Sequence, residues 1–378
     1  MKLARSLLAA AVSLAAAASA FADVNVGVVL SLTGPGSGLG IPMQKQLALF
    51  PKEIAGEKVN LIVLDDASDP GKGVSDTRRL ITEDKVDLIL GSCLTPVAAA
   101  MAPVTAESKV LQIAASPVGV PPGQDRWLFR LPQGNDVMAH AMFQHMKAHG
   151  VKTIGFLGYT DAYGELWLKA ATAEAEKNGM KIVAAERFAR TDTSVTPQAL
   201  KLTAANPDAM LIVASGSGAA MPEKGIVERG YKGKIYQTHA AATPDLVRIG
   251  GKDVEGTYVV SGPAVVAEQL PDSHPSKKAS IDFVTNYEKA NGPGTRNQFA
   301  GHSYDFAIVM QKIVPIAKAK AKPGTPEFRA ALRDAMETMG RTVFSHGVMN
   351  WTAEDHWGYT NETGVMLKVV DGKFVVEK

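Results

Sequence analysis

The chain has 378 residues, 46% of them hydrophobic and 21% charged, which is enough for two globular domains that each bury a core. The formal net charge of +2 is spread along the sequence without a basic block, which argues against nucleic acid as a partner. Cys93 is the single cysteine, so an internal disulfide is excluded, and we interpret it as a small apolar filler rather than a nucleophile.

The first 22 residues have the pattern of an export signal. Lys2 and Arg5 precede an apolar run that extends to Ala18, and the small residues around Phe21 form the pattern that a signal peptidase recognises. The run is too short to cross a bilayer as a helix, and no later segment is apolar enough to do so. We therefore expect cleavage after Ala22 and export to the periplasm.

After residue 22, short β-rich runs alternate with segments of helical length. Strands are predicted at 24–30, 59–64, 86–90, 110–114, 153–157, 181–184, 209–213, 365–370 and 374–376. Helices are predicted at 73–83, 136–149 and 163–178. This alternation is typical of parallel sheets with helices on both faces, which bind ligands at the carboxyl ends of their strands. Breaks at 130–135 and 261–263 predict domain boundaries, and the tail after residue 347 must add to an earlier domain.

Two motifs that suggest a cofactor or a metal have simpler explanations. The glycine cluster Gly34–Gly40 follows the first strand, but its spacing does not fit a dinucleotide site, so we interpret it as a flexible loop that opens a helix. His145 and His149 are four residues apart, a spacing that can bind zinc. Because no carboxylate or cysteine in the same segment completes the shell, we favour a solvated or half-buried histidine face. The sequence therefore predicts neither a cofactor nor a metal.

The acidic residues after the second predicted strand also have a structural explanation. Asp65, Asp66 and Asp69 could act as acid and base, but such residues also cap helices and form turns, which is the interpretation we favour. The sequence contains no Gly-x-Ser-x-Gly elbow, no Walker loop and no His-Glu-x-x-His motif. We therefore do not expect an enzyme.

Several segments, spread over essentially the whole chain after residue 22, carry a family resemblance. They are LIVLDDASDP at 61–70, GSCLTP at 91–96, AASP at 114–117, DAYGE at 161–165, ERGYKG at 228–233 and YQTH at 236–239. These segments resemble the type I solute-binding proteins of ABC importers, which include the leucine/isoleucine/valine-binding proteins. Two later blocks, EQLPDS at 268–273 and KPGTPEF at 322–328, are similar to the branch associated with aromatic acid uptake.

The resemblance implies an α/β architecture of two doubly wound parallel-sheet lobes joined by a three-crossover hinge. Lobe one would comprise residues 23–131 plus 262–347, and lobe two residues 132–261 plus 348–378. The ligand would lie in the cleft, and the lobes would close over it.

The resemblance also implies eleven ligand-contacting positions. They are Leu39, Leu94, Thr95, Ser116, Pro117, Val118, Tyr163, Ser215, His239, Phe299 and His302. The stretches 94–95 and 116–118 match the loops that hold the ligand carboxylate in amino-acid binders, although Val118 stands where a threonine is usual.

The remaining positions concern the rest of the ligand. Tyr163 matches a tyrosine that reaches the ligand, whereas Ser215 stands where branched-chain binders have another tyrosine. Leu39 and Phe299, with His302 nearby, would line an apolar wall that suits a ring or a branched aliphatic chain.

His239 decides the expected ligand class. By the resemblance it stands where amino-acid binders carry the acid that pairs with the α-ammonium, and burying an unpaired ammonium is costly. We therefore expect the ligand to be a small carboxylate without an ammonium group, such as an aromatic or keto acid. We expect the protein to be a monomer that delivers this ligand to an ABC permease. Two alternatives stay open. Another acid could pair with the ammonium of a branched-chain or other amino acid, or the chain could be a ligand-sensing module.

Overall fold

The computed structural model describes residues 23–360 and 363–377, and two largely parallel sheets form its framework. The predicted signal peptide lies outside the described residues. Within these two ranges, no helix combines the length and the apolar character needed to cross a bilayer. The expected α/β fold with two parallel-sheet lobes is confirmed.

Sheet one contains six strands in the order β2-β3-β1-β4-β5-β6. Their bounds are β1 Val24–Leu30, β2 Glu53–Ile54, β3 Glu57–Asp65, β4 Leu88–Gly91, β5 Leu111–Ala114 and β6 Leu128–Arg130. Every neighbouring pair is parallel except β2 and β3. The nearly continuous apolar sequence of β1 suits a central strand, because helices cover both faces of such a sheet.

Sheet two contains seven strands in the order β15-β14-β11-β10-β9-β7-β8. Their bounds are β7 Thr153–Tyr159, β8 Lys181–Phe188, β9 Ala209–Val213, β10 Lys234–Gln237, β11 Tyr258–Ser261, β14 Val365–Val370 and β15 Lys373–Val376. The tail strands β14 and β15 extend this sheet by antiparallel pairing, so the tail adds to an earlier domain as expected. A separate ribbon pairs β12 (Thr342–Phe344) with β13 (Gly347–Met349).

The α-helices cover the faces of the two sheets. Their bounds are α1 Ser37–Leu47, α2 Pro70–Thr82, α3 Thr95–Glu107, α4 Asn135–Ala148, α5 Ala162–Lys177, α6 Thr196–Ala204, α7 Ala220–Val227, α8 Pro244–Gly250, α9 Lys277–Asn291, α10 Gln298–Lys318 and α11 Pro326–Thr338. Helix α10 packs against α1, and α11 packs against α10 and β5. The last two helices, α10 and α11, therefore lie beside sheet one.

The chain passes between the two sheets three times, after β6, after β11 and before β14. The three passages meet at His346. The side-chain amide of Gln133 donates to the carbonyl oxygen of His346 at 2.9 Å, and a Cβ atom added at Gly262 would lie 2.9 Å from Cδ2 of the same histidine. On this basis we propose the lobe boundaries that the resemblance implies, 23–131 plus 262–347 and 132–261 plus 348–378.

The strands and helices predicted from periodicity are present, and their ends differ by a few residues. Strands β1 and β9 have the predicted bounds, whereas β8 continues to Phe188. The acidic turn is also confirmed: Asp69 caps α2 by accepting a hydrogen bond from the backbone N–H of Lys72 at 2.7 Å. Patterns in the sequence do not reveal β6, β10 or β11, which have only three or four residues each.

Candidate ligand-binding site

A narrow cavity lies where the carboxyl ends of the two sheets face each other. Ten of the eleven predicted positions line it: Leu39, Leu94, Thr95, Ser116, Pro117, Tyr163, Ser215, His239, Phe299 and His302. Most of these residues follow a parallel strand directly, and loops of that kind meet at one edge of their sheet. The structure thus brings together side chains that are far apart in the sequence.

Lobe one contributes the start of helix α3. Thr95 is the first residue of the helix, and its N-cap residue, Leu94, offers no side-chain hydrogen bond. The N–H groups of a first helical turn have no partner within the helix, and the helix dipole is positive there. The buried Oγ1 of Thr95 also lacks a hydrogen-bond partner among residues 23–360 and 363–377. This corner of the cavity can therefore accept an anion.

The loop beneath this corner is fixed by Asp66. Its carboxylate accepts hydrogen bonds from the hydroxyls of Ser31 and Ser92, both at 2.6 Å. Burial raises the pKa of Asp66, although the hydrogen bonds from these two hydroxyls act in the opposite direction. In turn, Ser116 Oγ donates to the carbonyl oxygen of Ser92 at 3.0 Å, so Asp66 helps to hold the cavity wall in place.

Val118 does not line the cavity. Its side chain is fully buried in a small apolar cluster with Ala98, Ala114 and Leu128. Its carbonyl oxygen accepts a hydrogen bond from Nε of Arg130 at 2.9 Å, which turns this stretch of backbone toward β6. Because the loop turns into the core after residue 117, Val118 is the one predicted position that lies outside the cavity lining.

Arg190 lines the cavity and was not expected from the sequence. Its Nε donates to the carboxylate of Asp161, and its Nη1 donates to Oγ of Ser215 at 2.8 Å. The guanidinium also lies 4.0 Å from the centre of the Tyr159 ring. Arg190 follows the end of β8 by two residues, so a correct end for that strand would have placed it at the same sheet edge.

Two buried histidines contribute neutral rings to the cavity. His239 is 2% exposed, and burial together with the nearby His346 lowers its pKa to about 3. Burial and the charges of the other two histidines also lower the pKa of His302 well below its ordinary value. No described residue hydrogen-bonds to Nδ1 of His239 or to either ring nitrogen of His302. A neutral imidazole offers one donor and one acceptor, so both rings are available to a polar ligand.

Tyr163 and Gln298 complete the polar part of the lining. The hydroxyl groups of Tyr163 and Thr238 share a hydrogen bond of 2.8 Å, and burial raises the pKa of Tyr163 above its ordinary value. Gln298, which was not predicted, accepts a hydrogen bond from Oγ of Ser261 at 3.3 Å, while its Nε2 has no partner in the described part of the chain.

Behind the cavity, His302 contacts a buried acid–histidine pair. The ring centres of His302 and His346 are 4.3 Å apart, and Nδ1 of His346 lies 3.0 Å from Oδ2 of Asp305. Ligand atoms of these three residues are close enough for a metal ion, but the Asp305–His346 hydrogen bond already engages two of them. Cys93 is also in the lining, and burial raises its thiol pKa to about 12, so it stays protonated, as an apolar filler should.

Comparison with known proteins shows which family the chain belongs to. Residues 23–372 match the family described as periplasmic binding protein. An extracellular ligand-binding receptor from Rhodopseudomonas palustris is 45% identical, with a TM-score of 0.92, and the match covers 94% of this chain and 99% of that one. A solute binding protein of an R. palustris ABC transporter, solved in complex with benzoate, is 19% identical with a TM-score of 0.78, over 94% and 95% of the two chains. That likeness concerns the fold alone.

A curated relative gives a more distant match. The Leu/Ile/Val-binding protein homolog 3 of Brucella melitensis is 27% identical over 211 residues, which are 54% of this chain and 56% of the relative. The chain thus matches little more than half of that protein. The family match, in contrast, covers nearly all of the described residues, and the resemblance inferred from the sequence is confirmed. The chain belongs to the periplasmic binding protein family and has the type I fold of its ABC-transporter members.

Proposed function

We propose that this protein is the periplasmic substrate-binding component of an ABC importer and that it captures a small organic carboxylate, an aromatic or keto acid. Closure of the lobes would trap the ligand, and the open form would release it to an inner-membrane permease without chemical change. One observation carries the ligand class: no aspartate or glutamate of the described chain lines the cavity.

This lining is unfavourable for a zwitterionic amino acid. A buried ammonium group needs a negative partner, because desolvation without one costs several kcal/mol. Arg190 is cationic, and the depressed pKa values of His239 and His302 keep both rings neutral near pH 7. A keto or hydroxyl oxygen in place of the ammonium can instead accept a hydrogen bond from a neutral imidazole.

The ligand carboxylate has two candidate partners. The first turn of α3 offers free N–H groups and the hydroxyl of Thr95. Arg190 uses its Nε and one N–H of Nη1 for Asp161 and Ser215, which leaves further guanidinium donors. The two partners belong to different lobes, so a ligand that engages both would hold the cleft closed.

The rest of the cavity suits a flat apolar group. Leu39 and Phe299 are almost fully buried and lie in the lining. The ring of Phe299 meets His302 edge to face, with ring centres 6.1 Å apart. Aromatic side chains favour such offset and edge contacts, so an aromatic ligand fits this wall as well as an aliphatic one does.

A matched ligand panel tests the proposal. Leucine and phenylalanine are compared with the keto acids that differ from them only by a keto group in place of the ammonium, and benzoate is added as an acid without either group. We expect at least one of the acids to raise the melting temperature and neither amino acid to do so. A ligand at a hundredfold excess over its Kd stabilises the folded state by about 2.7 kcal/mol.

The panel also separates the alternatives. A shift with leucine and none with its keto acid would contradict the ligand class and favour the amino-acid binding that the name of the Brucella relative suggests. Mass spectrometry of the acid after incubation checks that it is bound and released unchanged.

A further inference from the structure

A second cluster of ligating side chains lies at the end of lobe two that faces away from the cavity. It consists of His145 on helix α4, His149 directly after the end of that helix, and Glu377, which follows β15. One potential ligand atom of each residue lies within 4.8 Å of those of the other two. Helix α4 begins at Asn135, beside the passage between the lobes, so His149 is about 20 Å further along the helix axis.

In both histidines the ring nitrogen Nδ1 already has a hydrogen-bonding partner. Metal-binding histidines require such a partner for the ring nitrogen that does not bind the metal. Nδ1 of His145 lies 3.0 Å from the hydroxyl of Tyr236, and Nδ1 of His149 lies 2.9 Å from the carbonyl oxygen of His145. A carbonyl oxygen can only accept, so His149 must carry its proton on Nδ1. The lone pair on its Nε2 can then bind a metal ion. In metal sites, a hydrogen-bond partner on the other ring nitrogen fixes histidine in this tautomer.

The ring of His145 stacks on that of His149, with ring centres 4.0 Å apart. Nε2 of His145 is shielded from solvent and has no hydrogen-bond partner within residues 23–360 and 363–377. An unpartnered buried nitrogen is costly unless another group satisfies it.

We propose that His145, His149 and Glu377 bind one divalent transition-metal ion, with Zn²⁺ as the representative species. Two imidazole nitrogens and a carboxylate form a set that zinc accepts, with water as the fourth ligand, whereas Mg²⁺ prefers oxygen ligands alone. Glu377 supplies the carboxylate, because β15 ends beside α4. Asp136, at the start of α4, lies nine residues before His145 and is too far along the helix axis to reach the cluster.

Such an ion would fasten the end of the chain to lobe two. With a single cysteine, the chain has no internal disulfide to do so. β15 lies at the edge of sheet two, where its backbone pairs with β14 and with the side chain of Gln269. The lysines at 234 and 368 oppose a cation, and the carboxylate of Glu377 offsets part of that repulsion. Lys368 also lies over the Tyr258 ring, 5.2 Å from its centre, which directs its ammonium group to that face.

The test uses purified protein without a polyhistidine tag, freed of metal with a chelator. Calorimetric titration with ZnCl₂ should give one equivalent bound, and ZnCl₂ but not MgCl₂ should raise the melting temperature. His149→Gln and Glu377→Gln should each abolish the saturable binding. Tyr236→Phe, which removes only the outer partner of His145, should weaken it about tenfold.

A matched control is His140→Gln on the same helix. His140 interacts with Glu174 at 3.4 Å and is not part of the cluster, so this variant should bind zinc like the wild type. Absence of zinc binding by the wild type would overturn the proposal. So would binding that persists in both His149→Gln and Glu377→Gln, or binding that is lost equally in His140→Gln. None of these results depends on the ligand of the cleft.

Discussion

Acidification should destabilise this protein through His239, and the size of the effect can be worked out. The folded protein holds the pKa of His239 at about 3, against 6.5 for an ordinary histidine, because the ring is buried and lies near His346. Below pH 6.5 the unfolded chain therefore takes up a proton that the folded protein refuses. Stability is fully present above that pH and is lost progressively as the pH falls toward the folded pKa.

The loss is large enough to measure. Each pH unit below the unfolded pKa costs about 1.4 kcal/mol, so His239 alone should account for about 2 kcal/mol between about pH 7.5 and pH 5. His239→Gln keeps a polar side chain but cannot titrate. When the pH falls from about 7.5 to about 5, the free energy of unfolding should therefore decrease by about 2 kcal/mol more in the wild type than in the variant. His302 remains in both proteins, and burial, the largest cause of its lowered pKa, is the same in both, so most of its contribution cancels in the comparison.

Urea unfolding at the two pH values measures this difference. Trp167→Phe is a matched control, because Trp167 is fully buried, its ring centre is 5.8 Å from that of His239, and it does not titrate. The stability difference between this control and the wild type should be the same at both pH values. If the difference between His239→Gln and the wild type is also independent of pH, the reasoning about a buried neutral imidazole is refuted.

Two further substitutions test the site and the first turn of α1. Arg190→Met should weaken binding of the acid identified by the ligand panel by about 2 kcal/mol, measured by calorimetry, because a charged donor is lost. Arg187→Met, which removes an exposed guanidinium paired with Glu165, should leave the affinity unchanged, and an equal loss in both variants would contradict the role of Arg190. Gly40→Ala should destabilise the fold by about 3 kcal/mol in urea unfolding, because the added Cβ would overlap the backbone of Ser31. Gly38→Ala, whose Cβ would have its nearest neighbour at 3.5 Å, should cost nothing, and similar losses in both variants would count against this steric explanation.

The framework of the fold is readable from the sequence because its central strands are strongly apolar. β1 is a nearly continuous hydrophobic run and β9 a continuous one, and their bounds follow directly. β10 begins with a lysine and ends with a glutamine, so its four residues carry no periodic signal. Its place in the sheet is decided by pairing with β9 and β11, which only the tertiary structure shows.

The candidate site was only partly predictable, for a related reason. Positions such as Thr95 and His239 follow strands, and the resemblance identifies them. Arg190 was not predicted because the β-rich pattern of β8 stops before the strand itself ends at Phe188. The sequence therefore does not show where this edge of the sheet lies. The partnership of Glu377 with the histidines of α4 is equally invisible, since no local pattern connects a helix with a strand end so far along the chain. Val118 shows the converse, because the direction of its side chain depends on a backbone turn that the sequence does not specify.

The meeting of the three interlobe passages at His346 restricts how this protein can vary. A methyl group at position 262 or 301 would strike the His346 ring, which also contacts His302 in the cavity lining. A substitution at either glycine would therefore affect the hinge and the cavity lining together. Relatives that carry alanine at either position should have a smaller residue than histidine at 346, and grafting one of the changes without the other should disturb domain motion and specificity together.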